Sequence, residues 1–217
     1  MFYYCIDELT SFLGPTSSIL FIPYAYPDHD AYTRRVANAL IQTGAKVTGA
    51  HEWDGDGVEL RRQFNCIFCG GGNTFLLLSE LYRRDLLDRI RVAVTSGVKY
   101  LGSSAGANVA CPTIGTTNDF PIIQPLSLTA LNLIPFNINP HYIEFPDSVH
   151  HMGETRRERI KEFILHNHRD VLAMREGAVF RRDNASAWLT GRSGAILFTK
   201  SGQEKSIAIG DDLSSLL

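Results

Sequence analysis

The sequence predicts an α/β fold: a mostly parallel sheet covered on both faces by helices, a three-layer sandwich. Three observations predict it. Apolar runs of strand length alternate with segments whose apolar residues recur on a helical period. Glycine and other turn residues close most of these runs, as at Gly44, Gly70-Gly71-Gly72 and Gly97. No internal repeat or low-complexity linker divides the 217 residues, so a single domain over 1–217 is expected.

Each element has its own signal. Phe2, Cys5, Ile6, Leu9, Phe12 and Leu13 recur with helical spacing until Gly14-Pro15 stops the helix. The run from Ile19 to Ala25 is a strand. Asp30 to Thr43 is a helix with Tyr32, Val36, Ala39 and Leu40 on one face. Lys46 to Trp53 reads as a strand, Val58 to Gln63 as a short helix, and Asn65 to Cys69 as a strand running into Gly70-Gly71-Gly72-Asn73. Thr74 to Ser96 is helical, with a break expected near Asp85. Val98 to Leu101 is a strand, and the small residues Ala105 to Ala110 suit a helix. Gly115 to Pro125 is turn-rich and expected to line a site. Leu131 to Asn139 leads to Pro140-His141-Tyr142, and Glu154 to His166 is a helix with Ile160, Phe163 and Ile164 inward. From Val171 on, the short runs Ala178 to Arg182, Ala185 to Thr190, Ala195 to Thr199 and Ser206 to Ile209 read as antiparallel strands or hairpins at the end of the sheet.

Composition narrows the function classes. The formal net charge is -2 and the basic residues are scattered apart from Arg156, Arg157 and Arg159, so neither nucleic acid nor an anionic membrane is an expected partner. No window has the length of a membrane span, and Met1 to Leu13 carries Asp7 and Glu8 with no basic residue, unlike a secretory signal. Cys66 and Cys69 form a C-x-x-C inside an apolar strand, where positions three apart face opposite sides. Buried thiols in a reducing cytoplasm are therefore expected, with no metal and no cofactor.

The chemistry centres on Gly102-Ser103-Ser104-Ala105-Gly106, a G-x-S-x-G between a predicted strand and a predicted helix. That context makes a nucleophile elbow, in which a sharp turn lifts the serine hydroxyl above the sheet edge. Serine needs a base, and the base needs an orienting group. His141 follows Asn139-Pro140 at the expected end of a strand, where α/β sites form. His150-His151 and His166-x-His168 flank a polar helix and read as solvated, and His29 and His51 lie in loop or edge contexts. For the orienting acid, spacing does not choose between Glu176 and Asp119. Gly70-Gly71-Gly72-Asn73 lacks the lysine and spacing of a phosphate cradle, but a glycine N–H there can approach a bound carbonyl. Asp54-Gly55-Asp56-Gly57 has Asn65 where a calcium loop needs glutamate, so it reads as a turn.

Taken in order, Gly70-Gly71-Gly72-Asn73-Thr74-Phe75, Gly102 to Asn108, Pro112-Thr113-Ile114 with Thr116-Thr117-Asn118-Asp119, Asn139-Pro140-His141-Tyr142 and Gly153-Glu154-Thr155-Arg156 resemble the peptidase E, or α-aspartyl dipeptidase, family of serine peptidases. The resemblance runs from about Ile19 to the last strands. It implies a fold like the class I glutamine amidotransferases and hydrolysis of dipeptides with an N-terminal aspartate. By motif it implies Ser104 as nucleophile, His141 as base and Glu176 as orienting acid. It further implies an oxyanion hole from the Ala105 N–H with Gly71 or Gly72. Arg156 would hold the substrate aspartate's carboxylate, Asn118 and Asp119 would join the substrate-binding set, and Asp119 or Glu154 would meet the free amine. Other readings on the same fold are an isoaspartyl or cyanophycin-type peptidase, an amidase, or an inactive binding domain; the chain is expected to be a monomer or homodimer. Two departures stand out. The short apolar strand that usually opens the family is not seen, which implies a rearranged sheet, a gap filled by a partner chain or lower stability. Ser103 replaces a bulkier aromatic before the nucleophile, which implies a roomier pocket.

Overall fold

The computed structural model describes residues 2, 4–15, 17–144 and 153–217. Its first sheet is built by β1 (Ser18–Ile22), β2 (Lys46–Gly49), β3 (Cys66–Cys69) and β4 (Lys99–Gly102), all parallel in the order β2-β1-β3-β4. The alternation of side chains along these strands produces the layers. Ile19, Phe21, Cys66 and Phe68 face α1 (Ile6–Leu13) and α2 (His29–Ala39), packing on Leu9, Leu13, Tyr32 and Val36. Leu20, Ile22, Ile67 and Cys69 face the opposite layer of α3 (Gly57–Gln63), α4 (Thr74–Arg83), α5 (Leu86–Thr95) and α6 (Ala105–Ala110). Cys66 and Cys69 thus lie on opposite faces, as their spacing predicts. Burial pushes both thiols, and that of Cys111, up to about 12.

Local chemistry sets the helix boundaries. Asp28 caps α2 by accepting from the Ala31 N–H (2.9 Å). Asp56 caps α3 by accepting from the N–H groups of Val58 and Glu59 (2.8 and 2.9 Å), so the Asp-Gly-Asp-Gly stretch serves a helix start. The predicted break near Asp85 is a left-handed residue (φ 54°) between α4 and α5.

A second four-stranded sheet carries β5 (Asn137–Asn139), β6 (Val171–Met174), β9 (Ala195–Phe198) and β10 (Glu204–Ile207) in the order β10-β9-β6-β5. Here β5 and β6 are parallel and the other pairs antiparallel. One face joins Leu172, Ala195, Leu197 and Ile138 to Cys111 and Phe136; the other joins Val171, Ala173 and Phe198 to Ile160 and Ile164 of α7 (Arg156–Asn167).

The run from Leu131 closes in β5, which ends at Asn139 as expected; upstream, the N–H groups of Ala130, Leu131 and Asn132 are spent on the carbonyls of Pro112, Val109 and Cys111. Two expectations need correction. The hairpin β7 (Ala178–Asp183) and β8 (Ser186–Gly191) does not extend either four-stranded sheet; its other backbone partners are residues 210–213, which bond Leu189 and Ala187 and bridge Trp188 to Asp212. It docks on α1, with Glu8 accepting from Arg181 (2.9 Å) and Thr190 (2.8 Å). The predicted strand to Trp53 stops at Gly49, where the Glu52 carboxylate takes the Gly49 N–H.

Candidate active site

Four strand ends converge on one site. β4 ends at Gly102, and Ser104 follows with φ 52° and ψ −106°, a conformation seldom occupied by a residue with a side chain. The elbow is closely packed, and glycines make room for it. A Cβ on Gly106 would lie 2.0 Å from the Cys69 carbonyl oxygen, so only glycine allows α6 to start against the end of β3. The Ser104 carbonyl accepts from the N–H groups of Ala107 and Asn108 (2.9 and 3.0 Å), locking the turn.

β5 and β6 are parallel, with Asn139 opposite Ala173, so the segments after them lie side by side. His141 sits two residues beyond β5 in a left-handed conformation (φ 56°), and Glu176 two residues beyond β6. His141 Nε2 lies 2.8 Å from Ser104 Oγ, and His141 Nδ1 hydrogen-bonds Glu176 Oε2. The spacing left Glu176 and Asp119 as rivals for this position; Glu176 occupies it. Both members of the pair are accessible, with side-chain exposures of 48% and 77%. The turn bearing Glu176 is held by Arg175, which donates through Nε and Nη2 to Glu144 (2.9 and 2.6 Å).

β3 delivers the glycine turn. A Cβ on Gly71 would lie 3.2 Å from Ser104 Cβ, so this backbone passes directly beside the nucleophile. Gly72 has φ 133° and approaches Ala25 so closely that a Cβ would meet its carbonyl oxygen at 2.3 Å. The buried Tyr32 donates its hydroxyl to the Gly71 carbonyl (2.9 Å) and fixes the loop from behind.

The loop after α6 ties these parts together. Asn118 donates to the Pro140 carbonyl (2.8 Å) and accepts from Asn139 (3.0 Å), holding the turn that carries His141. Asp119 Oδ2 accepts from the Thr74 N–H (2.7 Å) and the Thr74 hydroxyl (2.5 Å) at the start of α4. Asn73, the N-cap of α4, accepts from Leu76 and donates to the Phe120 carbonyl (2.8 Å). Asn118 and Asp119 therefore brace the histidine turn and the glycine turn. Sequence reasoning missed these bracing bonds, and no local pattern announces them, since the partners lie 22 and 45 residues apart.

Arg156 is the first residue of α7, after a capping box between Thr155 and Glu158. Its Nη1 is buried with no hydrogen-bond partner among the described residues. Burial, then the charge of Arg159, lowers the pKa of this guanidinium. An unpartnered buried donor is costly, and a ligand carboxylate would satisfy it. Among the described residues no hydrogen bond links Arg156 to the triad. Glu154 pairs with Arg159 at 3.6 Å and is exposed. His150 and His151 lie outside the described residues. No helix of the described residues is long and apolar enough to cross a membrane.

Similarity to known proteins agrees with this geometry. A peptidase E of Streptomyces coelicolor is 44% identical over 214 residues, covering 99% of this chain and 88% of that protein. A probable alpha-aspartyl dipeptidase of Drosophila melanogaster is 46% identical over 201 residues, covering 92% and 83%. The crystal structure of a peptidase from an acI-B1 Actinobacterium superposes with a TM-score of 0.70 over 97% of this chain and 91% of that one; at 17% identity it speaks for the fold. Residues 1–190 match the profile of Peptidase family S51. A serine, a histidine and a glutamate hydrogen-bonded in series where strand ends of two sheets meet, with homology spanning nearly the whole chain, lead to one assignment: the chain belongs to peptidase family S51.

Proposed function

We propose that this chain is a serine-type dipeptidase that hydrolyses dipeptides with an N-terminal aspartate. The observation that carries the reading is the series Ser104–His141–Glu176, met by three strand ends far apart in sequence. Ser104 Oγ attacks the scissile carbonyl as His141 Nε2 accepts its proton, and Glu176 holds the imidazole through Nδ1. The tetrahedral oxyanion is received by the Ala105 N–H and a backbone N–H of Gly71 or Gly72. His141 then gives its proton to the departing amine, and water, activated by the same imidazole, releases the acyl group.

The substrate class rests on Arg156. Its buried, unpartnered Nη1 suits a side-chain carboxylate, and the name of the Drosophila relative supports aspartate. The test is turnover of Asp-Leu, β-Asp-Leu and Ala-Leu by the parent, Ser104→Ala and Arg156→Ala proteins. Ser104→Ala is expected to lose several orders of magnitude in kcat. Arg156→Ala is expected to lose about 10- to 100-fold in kcat/KM on Asp-Leu, the worth of a charge-assisted hydrogen bond, and little on Ala-Leu. An active alanine variant of Ser104 overturns the mechanism; equal losses on Asp-Leu and Ala-Leu overturn the pocket.

A further inference from the structure

We propose that Phe120 forms an apolar subsite for the side chain of the leaving residue, so that peptides of the form Asp-X with a large apolar X are preferred. The inference rests on the dipeptidase reading above and names a part of its substrate that the reading leaves open.

The placement of Phe120 follows from hydrogen bonds on both sides of it. Its own carbonyl accepts from Asn73, one residue after Gly72, at 2.8 Å. Two residues earlier, Asn118 donates to the Pro140 carbonyl, immediately before His141. Between them, Asp119 is fixed to Thr74. The segment 118–120 therefore spans from the glycine turn to the histidine turn and walls the gap between them.

The direction of the reaction gives that wall a role. His141 must protonate the leaving amine, so the leaving residue departs on the His141 side of Ser104. Arg156, the group suited to the aspartate carboxylate, lies on a different element, the first turn of α7. A leaving side chain thus meets the wall made by 118–120.

The chemistry of the wall is apolar. Phe120 is 81% exposed, so its ring lacks the protein packing that a phenyl group ordinarily finds. Ile122, two residues on, is also exposed, at 64%. The backbone beneath Phe120 is held at fixed points, so an apolar partner can cover the ring without ordering a loop. Covering a phenyl face with a leucine or phenylalanine side chain removes apolar area from both partners, and one or two buried methylenes are enough to discriminate by about tenfold or more. A serine or glycine at X gains nothing there.

The experiment compares kcat/KM for Asp-Leu, Asp-Ser and Asp-Gly in the parent, Phe120→Ala and Phe120→Leu proteins. The parent is expected to favour Asp-Leu over Asp-Ser by about tenfold or more. Phe120→Ala is expected to bring the ratio to within about threefold, through the KM for Asp-Leu, with Asp-Gly turnover retained; Phe120→Leu is expected to keep most of the preference. Equal kcat/KM on all three peptides in the parent overturns the subsite and leaves the dipeptidase reading standing. Equal losses on all three in Phe120→Ala also overturn it, since they mark a structural role. A parent inactive on every Asp-X peptide brings down the dipeptidase reading and the subsite with it.

Discussion

Replacing Asp119 with asparagine tests whether this carboxylate braces the site or binds substrate. One oxygen of Asp119 receives both the N–H and the hydroxyl of Thr74, at 2.7 and 2.5 Å, and Thr74 is fully buried at the first position of α4. Asparagine keeps the volume but removes the charge, turning two charge-assisted bonds into neutral ones and weakening each by about 1 kcal/mol. Loss of a negative charge beside a helix start removes about 0.3–1 kcal/mol more. The sum, about 2–3 kcal/mol, corresponds to a fall in Tm of roughly 4–12 °C for a chain of this size. The assay is a thermal melt followed by circular dichroism, beside Asp-Leu kinetics. Because Asp119 also steadies the turn containing Gly71 and Gly72, kcat is expected to fall while KM stays nearly constant. An unchanged Tm with a KM raised about tenfold or more, the scale of a lost charged hydrogen bond, would refute the bracing role and hand the carboxylate to the substrate's amine.

Two further outcomes are expected. Gly106→Ala would place a Cβ 2.0 Å from a strand carbonyl, a clash the close-packed elbow cannot relieve, so a loss of about 3 kcal/mol or more is expected in urea unfolding; a variant as stable as the parent would show that α6 can shift. The thiols of Cys66, Cys69 and Cys111 are raised from 9.0 to about 12 by burial. Their folded pKa values exceed the unfolded ones, so this contribution is intact below pH 9 and is lost as pH rises towards 12, by up to about 1.4 kcal/mol per pH unit for each thiol. Urea midpoints at pH 8 and 10 measure this, and a midpoint that does not move would contradict it.

Much of the fold was readable because its signals are local. Helical periodicity marked α1, α2, α4, α5 and α7, and the left-handed break at Asp85 was visible as a polar interruption. G-x-S-x-G between strand and helix located the elbow, and Asn-Pro-His located the histidine that the structure sets beside Ser104. What escaped the reading is non-local. Nothing near Asp119 says that its partner is Thr74 rather than His141, because that depends on how two loops meet after folding. The separation of the strands into two sheets was also hidden, since a run such as Val171–Met174 looks the same beside a parallel or an antiparallel neighbour.

The proposed nucleophile and base hang from different sheets: Ser104 follows β4, and His141 follows β5. Among the described residues no ladder joins those two strands, so the oxygen-to-nitrogen distance is fixed by a seam in which Cys111 packs on Phe136 and Ile138 and its sulfur accepts from the Ile138 N–H at 3.1 Å. A small shift of one sheet against the other would leave each sheet's own ladders intact while changing that distance. Turnover is then a finer gauge of that remote packing than any melting curve, and changes deep in the seam would silence the serine without touching it.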